Sequence, residues 1–309
     1  MYTSRKAAFA LGVVAALLWS PHFYVVSGLH AEGVPMLAAQ FHLLFWPALA
    51  FLLVLFLGGR TSSLSVFQRR ESYFLVLAAA GGYGFWMLRG LALEGGGHSH
   101  AHLLFYAAPL LMVLFSRFTP EKADWRSAAG LLLGFVGCVM IAERLTGPPG
   151  ATGAAGGADL LALGAAACWA LFSVMARPVV RDQSVLPMAA LVTGIGAVCL
   201  FITCLSTGES PFDVSLPQLQ TLVLTGIAVV GLMMAAWLKC LAGLPAAAAA
   251  PFWYLGLPFG LLWAHRAGWG VAGWWALGGV VLIFGGLRYA LSGRRRAGIT
   301  MSDIIRGQG

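Results

Sequence analysis

Apolar residues in this chain fall into long, nearly uninterrupted runs, not the alternating or one-faced patterns of water-soluble strands and helices. Each run is close to the roughly 20 residues that a helix needs to cross the hydrocarbon core of a bilayer. Ten such runs lie near residues 7–29, 35–57, 72–93, 99–117, 126–145, 157–178, 184–206, 217–240, 244–264 and 271–292. The pattern predicts an all-α integral membrane protein with ten transmembrane helices.

Composition supports a membrane location and excludes a soluble globular protein. Of the 309 residues, 60% are hydrophobic and only 10% are charged. A soluble domain of this length needs more polar surface, because most of its exterior faces water. The runs also take up most of the chain, so we expect no separate extramembrane domain.

The net charge of +8 is distributed in the way that orients a membrane protein. If the N-terminus is cytoplasmic, 16 of the 19 Lys and Arg residues fall on the cytoplasmic side, and only Arg89, Arg144 and Arg266 fall outside. This asymmetry is the positive-inside rule, and it predicts a multi-pass inner-membrane protein with both termini cytoplasmic. The basic tail, residues 293–309, then acts as an orientation anchor, and we expect no nucleic-acid partner.

The two halves of the chain are related to each other. Matching residues recur in the same order at offsets of 149 to 151: Trp19 and Trp169, Trp86 and Trp237, Pro109 and Pro258, Trp125 and Trp274, Gly130 and Gly279, Gly137 and Gly286. Five helices per half is an odd number, so two such copies must have opposite orientations in the membrane. We predict a first repeat (1–145), an external Gly/Pro-rich linker (146–156), a second, inverted repeat (157–292) and the basic tail. Duplicated, inverted membrane halves indicate a transporter.

Several short patterns resemble a known family. They are Leu18-Trp19-Ser20, the Phe105-Tyr106-x-x-Pro109 sequence, and the spaced glycines of the fifth segment with their second-half copies. On these residues the chain resembles the drug/metabolite transporter (DMT) superfamily, in its ten-helix EamA-type exporter branch, over nearly the whole length. Within it the chain looks most similar to the bacterial aromatic amino-acid exporters. The segment 264–269 departs from the pattern because it lacks the Glu found in 118–125.

The resemblance implies a central cavity lined by the first, third, fourth, sixth, eighth and ninth segments. Aromatic walls suit flat or apolar side chains, and indole N–H and phenol O–H groups orient a ligand. The candidate substrate-binding residues on these segments are Trp19, His22, Tyr83, Trp86, Tyr106, Trp169, Trp237 and Tyr254. Aromatic residues also form interfacial belts, and His22 has the alternative role of a hydrogen-bonded histidine inside the bundle.

Four further features have two interpretations each. Pro109 and Pro258 are candidate gating hinges, although membrane helices also tolerate proline without such a role. Arg89 and Lys239 are expected near opposite membrane faces, reaching toward water or attracting a carboxylate at each mouth. The spaced glycines fit packing within the chain or dimerisation, so monomer and homodimer both stay open.

The run His98-Ser99-His100-Ala101-His102 is the one candidate metal-binding pattern. His98 and His102 share a helix face, but no neighbouring Cys or acid completes a ligand set except Glu94. A polar entrance to the fourth segment is the alternative interpretation. No nucleophile–base pair and no phosphate-binding loop is present, so we predict a protein that is not an enzyme and has no metal or cofactor.

The predicted function is secondary transport, in which the protein exports small metabolites across the inner membrane by alternating access. Aromatic or large neutral amino acids are the predicted substrates. A substrate and the lipid bilayer are the expected partners. Acids are missing at mid-membrane depth, which favours facilitated diffusion over proton antiport. A broad-specificity, proton-coupled drug exporter and a metal-dependent integral membrane enzyme are the competing hypotheses.

Overall fold

The computed structural model describes residues 3–60, 71–94, 98–121, 123–142, 157–182, 184–266 and 273–292, and within these ranges all regular structure is helical. The helices in chain order are α1 (Arg5–Trp19), α2 (His22–Ala31), α3 (Met36–Leu57), α4 (Glu71–Leu77), α5 (Phe85–Glu94), α6 (His98–Phe105), α7 (Ala108–Ser116), α8 (Trp125–Ala142), α9 (Gly157–Asp182), α10 (Val185–Thr207), α11 (Leu216–Leu224), α12 (Leu232–Gly243), α13 (Ala246–Ala249), α14 (Gly256–Arg266) and α15 (Gly273–Ser292). The predicted linker and basic tail, 146–156 and 293–309, lie outside the described residues.

Nine helical segments in these ranges are long and apolar enough to cross a membrane. They are Arg5–Ala31, Met36–Leu57, Leu75–Glu94, Trp125–Ala142, Gly157–Arg181, Val185–Thr207, Leu216–Gly243, Ala246–Ala264 and Gly273–Ser292. The fourth predicted segment corresponds to a shorter apolar helix, His102–Ser116. The all-helical membrane architecture is therefore confirmed, whereas the count of ten crossings stays a prediction.

The outer surface of the bundle is apolar, as lipid contact requires. Large hydrophobic side chains such as Phe56, Leu132, Ile202 and Val281 are exposed on it. Because a bilayer core offers no water, the backbone must satisfy its own hydrogen bonds there, and only helices do so within one segment.

The first crossing is broken at Ser20–Pro21, between α1 and α2. Proline has no N–H and its ring collides with the carbonyl four residues earlier, here that of Leu17. The Ser20 hydroxyl donates to that carbonyl at 2.7 Å and accepts the indole N–H of Trp263 at 3.0 Å. The break is thus fully hydrogen-bonded, and it sets the direction of His22 immediately after it.

Pro109 and Pro258 also follow breaks in the α-helical path. A turn with i to i+3 hydrogen bonds separates α6 from α7 just before Pro109. A 3₁₀ turn, Ala250–Leu255, separates α13 from α14 just before Pro258. For Pro258 the irregular residues include Tyr254, the position four before the proline where the ring clash falls, whereas the corresponding position for Pro109, Phe105, is the last residue of α6.

The third and eighth predicted segments each contain a π-helical stretch of seven residues. Ala78–Gly84 joins α4 to α5, and Thr225–Gly231 joins α11 to α12. The first stretch packs on α10 and the second on α3. Wider π turns inside a helix shift the register of every later side chain, so they decide which residues face the bundle centre.

Helices pair across the two halves of the chain. α3 packs on α10, α1 on α12, α5 on α9, and α8 on α15. Gly130 of α8 lies against Gly286 of α15, and Gly137 lies against Gly279, so these two helices run antiparallel. The two contacts are equivalent in the predicted repeat: adding 149 to Gly130 gives Gly279, and subtracting 149 from Gly286 gives Gly137.

These glycines permit backbone-to-backbone contact. A Cβ on Gly137 would lie 2.5 Å from the Gly279 carbonyl oxygen, and one on Gly286 would lie 2.4 Å from the Gly130 carbonyl oxygen. A rigid backbone atom cannot yield at such distances, so only glycine fits. The spaced glycines therefore serve packing within the chain; Gly285, with open space around its Cα, faces away.

Replacing Gly137 by Ala is expected to destabilise the protein by about 1–3 kcal/mol, because the added methyl forces α8 away from α15. Thermal unfolding of the purified protein in detergent measures this as a lower Tm. Gly285→Ala is the matched control, since it adds the same methyl in α15 without a neighbour. Equal Tm values for the two variants would contradict the packing assignment.

Candidate functional site

The centre of the bundle holds a continuous group of buried rings, which we call the aromatic cluster. Its members are Trp19, His22, Phe85, Trp86, Trp169, Trp237 and Trp253. Each of the seven side chains is at most 5% exposed. No single helix builds the cluster, because its members come from α1, α2, α5, α9, α12 and the 3₁₀ turn.

Trp169 joins the contributions of the two halves. Its ring centroid lies 4.9 Å from that of Phe85 in the first half and 4.8 Å from that of Trp253 in the second. Trp253 in turn lies 5.1 Å from Trp19. These are the spacings at which aromatic rings attract each other in tilted and offset geometries.

Several polar atoms in the cluster have no hydrogen-bond partner among the described residues. The Trp237 indole N–H donates to the Ser173 hydroxyl at 3.1 Å. By contrast, the indole N–H groups of Trp86, Trp169 and Trp253 are buried without an acceptor in that part of the chain. Buried donors are nearly always paired in folded proteins, so these three N–H groups are open to hydrogen bonds from a water or another polar group.

The structure brings five of the eight predicted substrate-binding residues into the cluster: Trp19, His22, Trp86, Trp169 and Trp237. Tyr106 lies at its edge, since both its hydroxyl and the Trp19 ring flank Gly256. Phe85 and Trp253 are the members that the predicted set omitted. Phe85 precedes Trp86 in the sequence and Trp253 precedes Tyr254, and this adjacency is the sequence feature that could have added them to the predicted set.

Tyr83 and Tyr254 point elsewhere. The Tyr83 hydroxyl is 2.9 Å from the Thr203 hydroxyl of α10, because the π stretch rotates Tyr83 away from the face that carries Trp86. The Tyr254 ring packs against Gly134 of α8, where a Cβ would come within 2.7 Å of it. In the 3₁₀ turn, neighbouring side chains diverge by roughly 120°, so Trp253 faces the cluster and Tyr254 does not.

Arg89 corrects an expectation from the sequence. It was expected to reach toward water, but it is completely buried. One guanidinium nitrogen, Nη2, is 3.0 Å from His22 Nδ1, and the other, Nη1, donates to Gln40 Oε1 at 3.3 Å. Gly90 leaves room for the Gln40 side chain, because a Cβ there would lie 3.1 Å from Gln40 Cγ. Its predicted second-half counterpart, Lys239, is exposed.

A cavity of about 400 Å³ lies outside the aromatic cluster, with none of the cluster members in its lining. Tyr73, Ser116, Val174, Met175, Arg177 and Ala246 are among its lining residues. Arg177 at the mouth pairs with Glu121 at 3.3 Å and donates to the Ala242 carbonyl at 3.2 Å.

The predicted metal pattern gains no support from the described residues, which contain no group of three potential metal-binding side chains. The side chains of His98 and His100 lie outside the description. His102 stacks on Phe23 with ring centroids 3.9 Å apart, as a packed member of the bundle.

Comparisons with known proteins agree with this architecture. A family model described as "EamA-like transporter family" matches residues 6–142 and again residues 156–291. A curated relative, "Uncharacterized transporter YyaM" of Bacillus subtilis (strain 168), is 24% identical over 166 residues, 53% of this chain and 54% of the relative. The match thus spans about half the length of that relative.

A solved structure named "Crystal structure of protein" superposes with a TM-score of 0.79 at 23% identity, covering 93% of this chain and 98% of the other. At this identity the likeness shows the fold alone. The family model, by contrast, covers both halves and nearly the whole chain. The chain therefore belongs to the EamA-like transporter family, and its apolar helices make it a multi-pass membrane protein.

Proposed function

We propose that this protein exports small metabolites across the cell's inner membrane, and that its substrates are amino acids with aromatic or large apolar side chains. The aromatic cluster carries the proposal. It lies where the two halves meet, and it combines flat apolar walls with unpaired indole donors. Such a site suits a molecule with one flat or apolar part and one polar part.

The pairing of helices across the halves supports transport by alternating access. We propose ten crossings in two inverted five-helix repeats, with both termini cytoplasmic. The equivalent Gly130–Gly286 and Gly137–Gly279 contacts are those expected of two copies related by a twofold axis in the membrane plane. Rocking of one half against the other would alternately open the cluster, with the breaks before Pro109 and Pro258 as hinges.

The charges around the cluster favour zwitterionic or anionic substrates over cationic drugs. Within the described residues no Asp or Glu belongs to the cluster, and Arg89 contributes a positive charge beside it. A cation would meet repulsion and no compensating carboxylate. For the same reason we propose facilitated diffusion down the substrate gradient, since proton coupling in membranes commonly uses a buried acid.

Replacing Trp169 by Phe is expected to raise the KM for L-phenylalanine efflux from proteoliposomes by about 3- to 10-fold. The change keeps a ring between the two halves but removes one indole N–H, and a single hydrogen bond is worth this much. Trp274→Phe, the same change at a side chain that is 86% exposed, should leave KM unchanged. An unaltered KM in Trp169→Phe would remove the cluster from the transport path.

Efflux of L-phenylalanine should proceed at the same rate with and without an imposed pH gradient. The expectation follows from the lack of an acid among the described cluster residues. A pH-sensitive dye inside the liposomes measures proton movement in the same experiment. Substrate-dependent acidification or alkalinisation would show proton coupling and overturn the uniport mechanism.

A further inference from the structure

Arg89 is a buried cation whose known contacts are all neutral or aromatic. His22 and Gln40 are its hydrogen-bond partners, and its guanidinium carbon lies 5.4 Å from the Trp19 ring centroid and 5.5 Å from that of Phe105. Moving such a charge out of water is costly, and cation–π contacts offset only part of that cost. A buried arginine normally pairs with an acid, which offsets this cost. In the described part of the chain, the arginine that forms such an ion pair is Arg177, with Glu121.

The hydrogen bonds of Arg89 fix the roles of its neighbours. A guanidinium only donates, so His22 Nδ1 must accept and the ring proton sits on Nε2. That Nε2–H has no acceptor among the described residues, and neither has the Gln40 amide nitrogen or Arg89 Nε. These three side chains are in contact with one another through Arg89, and each keeps a buried donor without an acceptor among the described residues beside a positive charge.

The second half of the protein lacks this arrangement. At an offset of 150 residues, His22 is replaced by Phe172 and Gln40 by Ala190, both buried and apolar, while Lys239 is exposed. If the polar group served only to hold helices together, the duplicated scaffold would need it twice. Its presence on one side alone indicates a role in recognition.

We propose that Arg89, Gln40 and His22 form a binding site for the carboxylate of a small organic acid, whose apolar part lies against the Trp19–Trp86–Trp253 side of the aromatic cluster. A carboxylate offers two acceptor oxygens and a single negative charge, which one guanidinium compensates. Trp19 stacks on His22 at 4.4 Å, so polar and aromatic surfaces are continuous. The proposal rests on the proposed function and names the group by which the substrate is recognised.

The test compares each carboxylate with the compound in which a neutral amide group replaces the carboxylate, on the purified full-length protein. The probe pairs are 3-phenylpropionate and 3-phenylpropionamide, L-phenylalanine and L-phenylalaninamide, and L-leucine and L-leucinamide. Tryptophan fluorescence and thermal unfolding report binding, because the site adjoins Trp19 and Trp86. Charge-assisted hydrogen bonds should make at least one carboxylate bind about 10-fold or more tightly than its amide.

Variants then assign the preference to Arg89. Arg89→Gln should bring carboxylate and amide affinities together, and Arg89→Lys should keep part of the difference. Arg126→Gln removes an arginine that also lies over a tryptophan ring, Trp125, but at the bundle surface, and it should preserve the wild-type preference. Should Arg89→Gln fail to fold, the wild-type comparison still decides, because it needs no variant.

The outcomes separate this proposal from the proposed function. If no carboxylate binds better than its amide, or if Arg89→Gln keeps the preference, the carboxylate site is wrong even when liposomes transport L-phenylalanine. If liposomes transport no amino acid but the carboxylate preference is present and lost in Arg89→Gln, the site stands and the amino-acid export proposal fails.

Discussion

Backbone contact at glycine between the two halves is the constraint on which the rest of this structure depends. α8 and α15 approach so closely at Gly130, Gly137, Gly279 and Gly286 that a single methyl group does not fit. Lipid supplies no hydrophobic force to drive helices together, so dispersion contacts at such short range must hold them. This pairing fixes the edge of the bundle, and α1, α5, α9 and α12 then meet at its centre.

Irregular backbone decides what those central helices present to one another. The break at Ser20–Pro21 directs His22 inward, the π stretch before α5 aligns Phe85 and Trp86, and the 3₁₀ turn presents Trp253. Each irregularity leaves backbone groups that must find partners inside the protein, as the Ser20 hydroxyl does for the Leu17 carbonyl. Departures from the ideal helix therefore lie next to, or include, residues of the aromatic cluster.

The cluster combines near-symmetry with one asymmetric feature. Trp19 corresponds to Trp169 in the predicted repeat, and Trp86 to Trp237. In each half the two indoles are in contact, with ring centroids 6.0 Å apart for Trp19 and Trp86 and 6.1 Å apart for Trp169 and Trp237. Arg89 with His22 and Gln40 breaks that correspondence, because the second half has apolar residues or an exposed lysine instead. The centre of the bundle thus combines an aromatic frame with contributions from both halves and one polar group that has no counterpart in the second half.

The sequence by itself determined the all-helical membrane architecture and most of the aromatic cluster, and it predicted the duplication. The length of a hydrophobic run reflects the thickness of the bilayer, so membrane-crossing helices can be predicted from the sequence. The Trp, Pro and Gly residues recur in the same order in the two halves, so the duplication can be predicted in the same way. Trp19, His22, Trp86, Trp169 and Trp237 were predictable because they lie on segments that the resemblance placed around a cavity.

Only the tertiary structure decided the orientation of Tyr83, Tyr254 and Arg89. A π turn and a 3₁₀ turn rotate the first two away, and neither irregularity has a reliable sequence pattern. Arg89 lies five residues from the end of α5, a position from which an arginine ordinarily reaches water. It turns inward because Gln40 of α3 and His22 of α2, distant in sequence, accept its hydrogen bonds. Hydropathy along a chain measures how apolar a segment is, whereas the partners of a buried charge depend on which helices pack together.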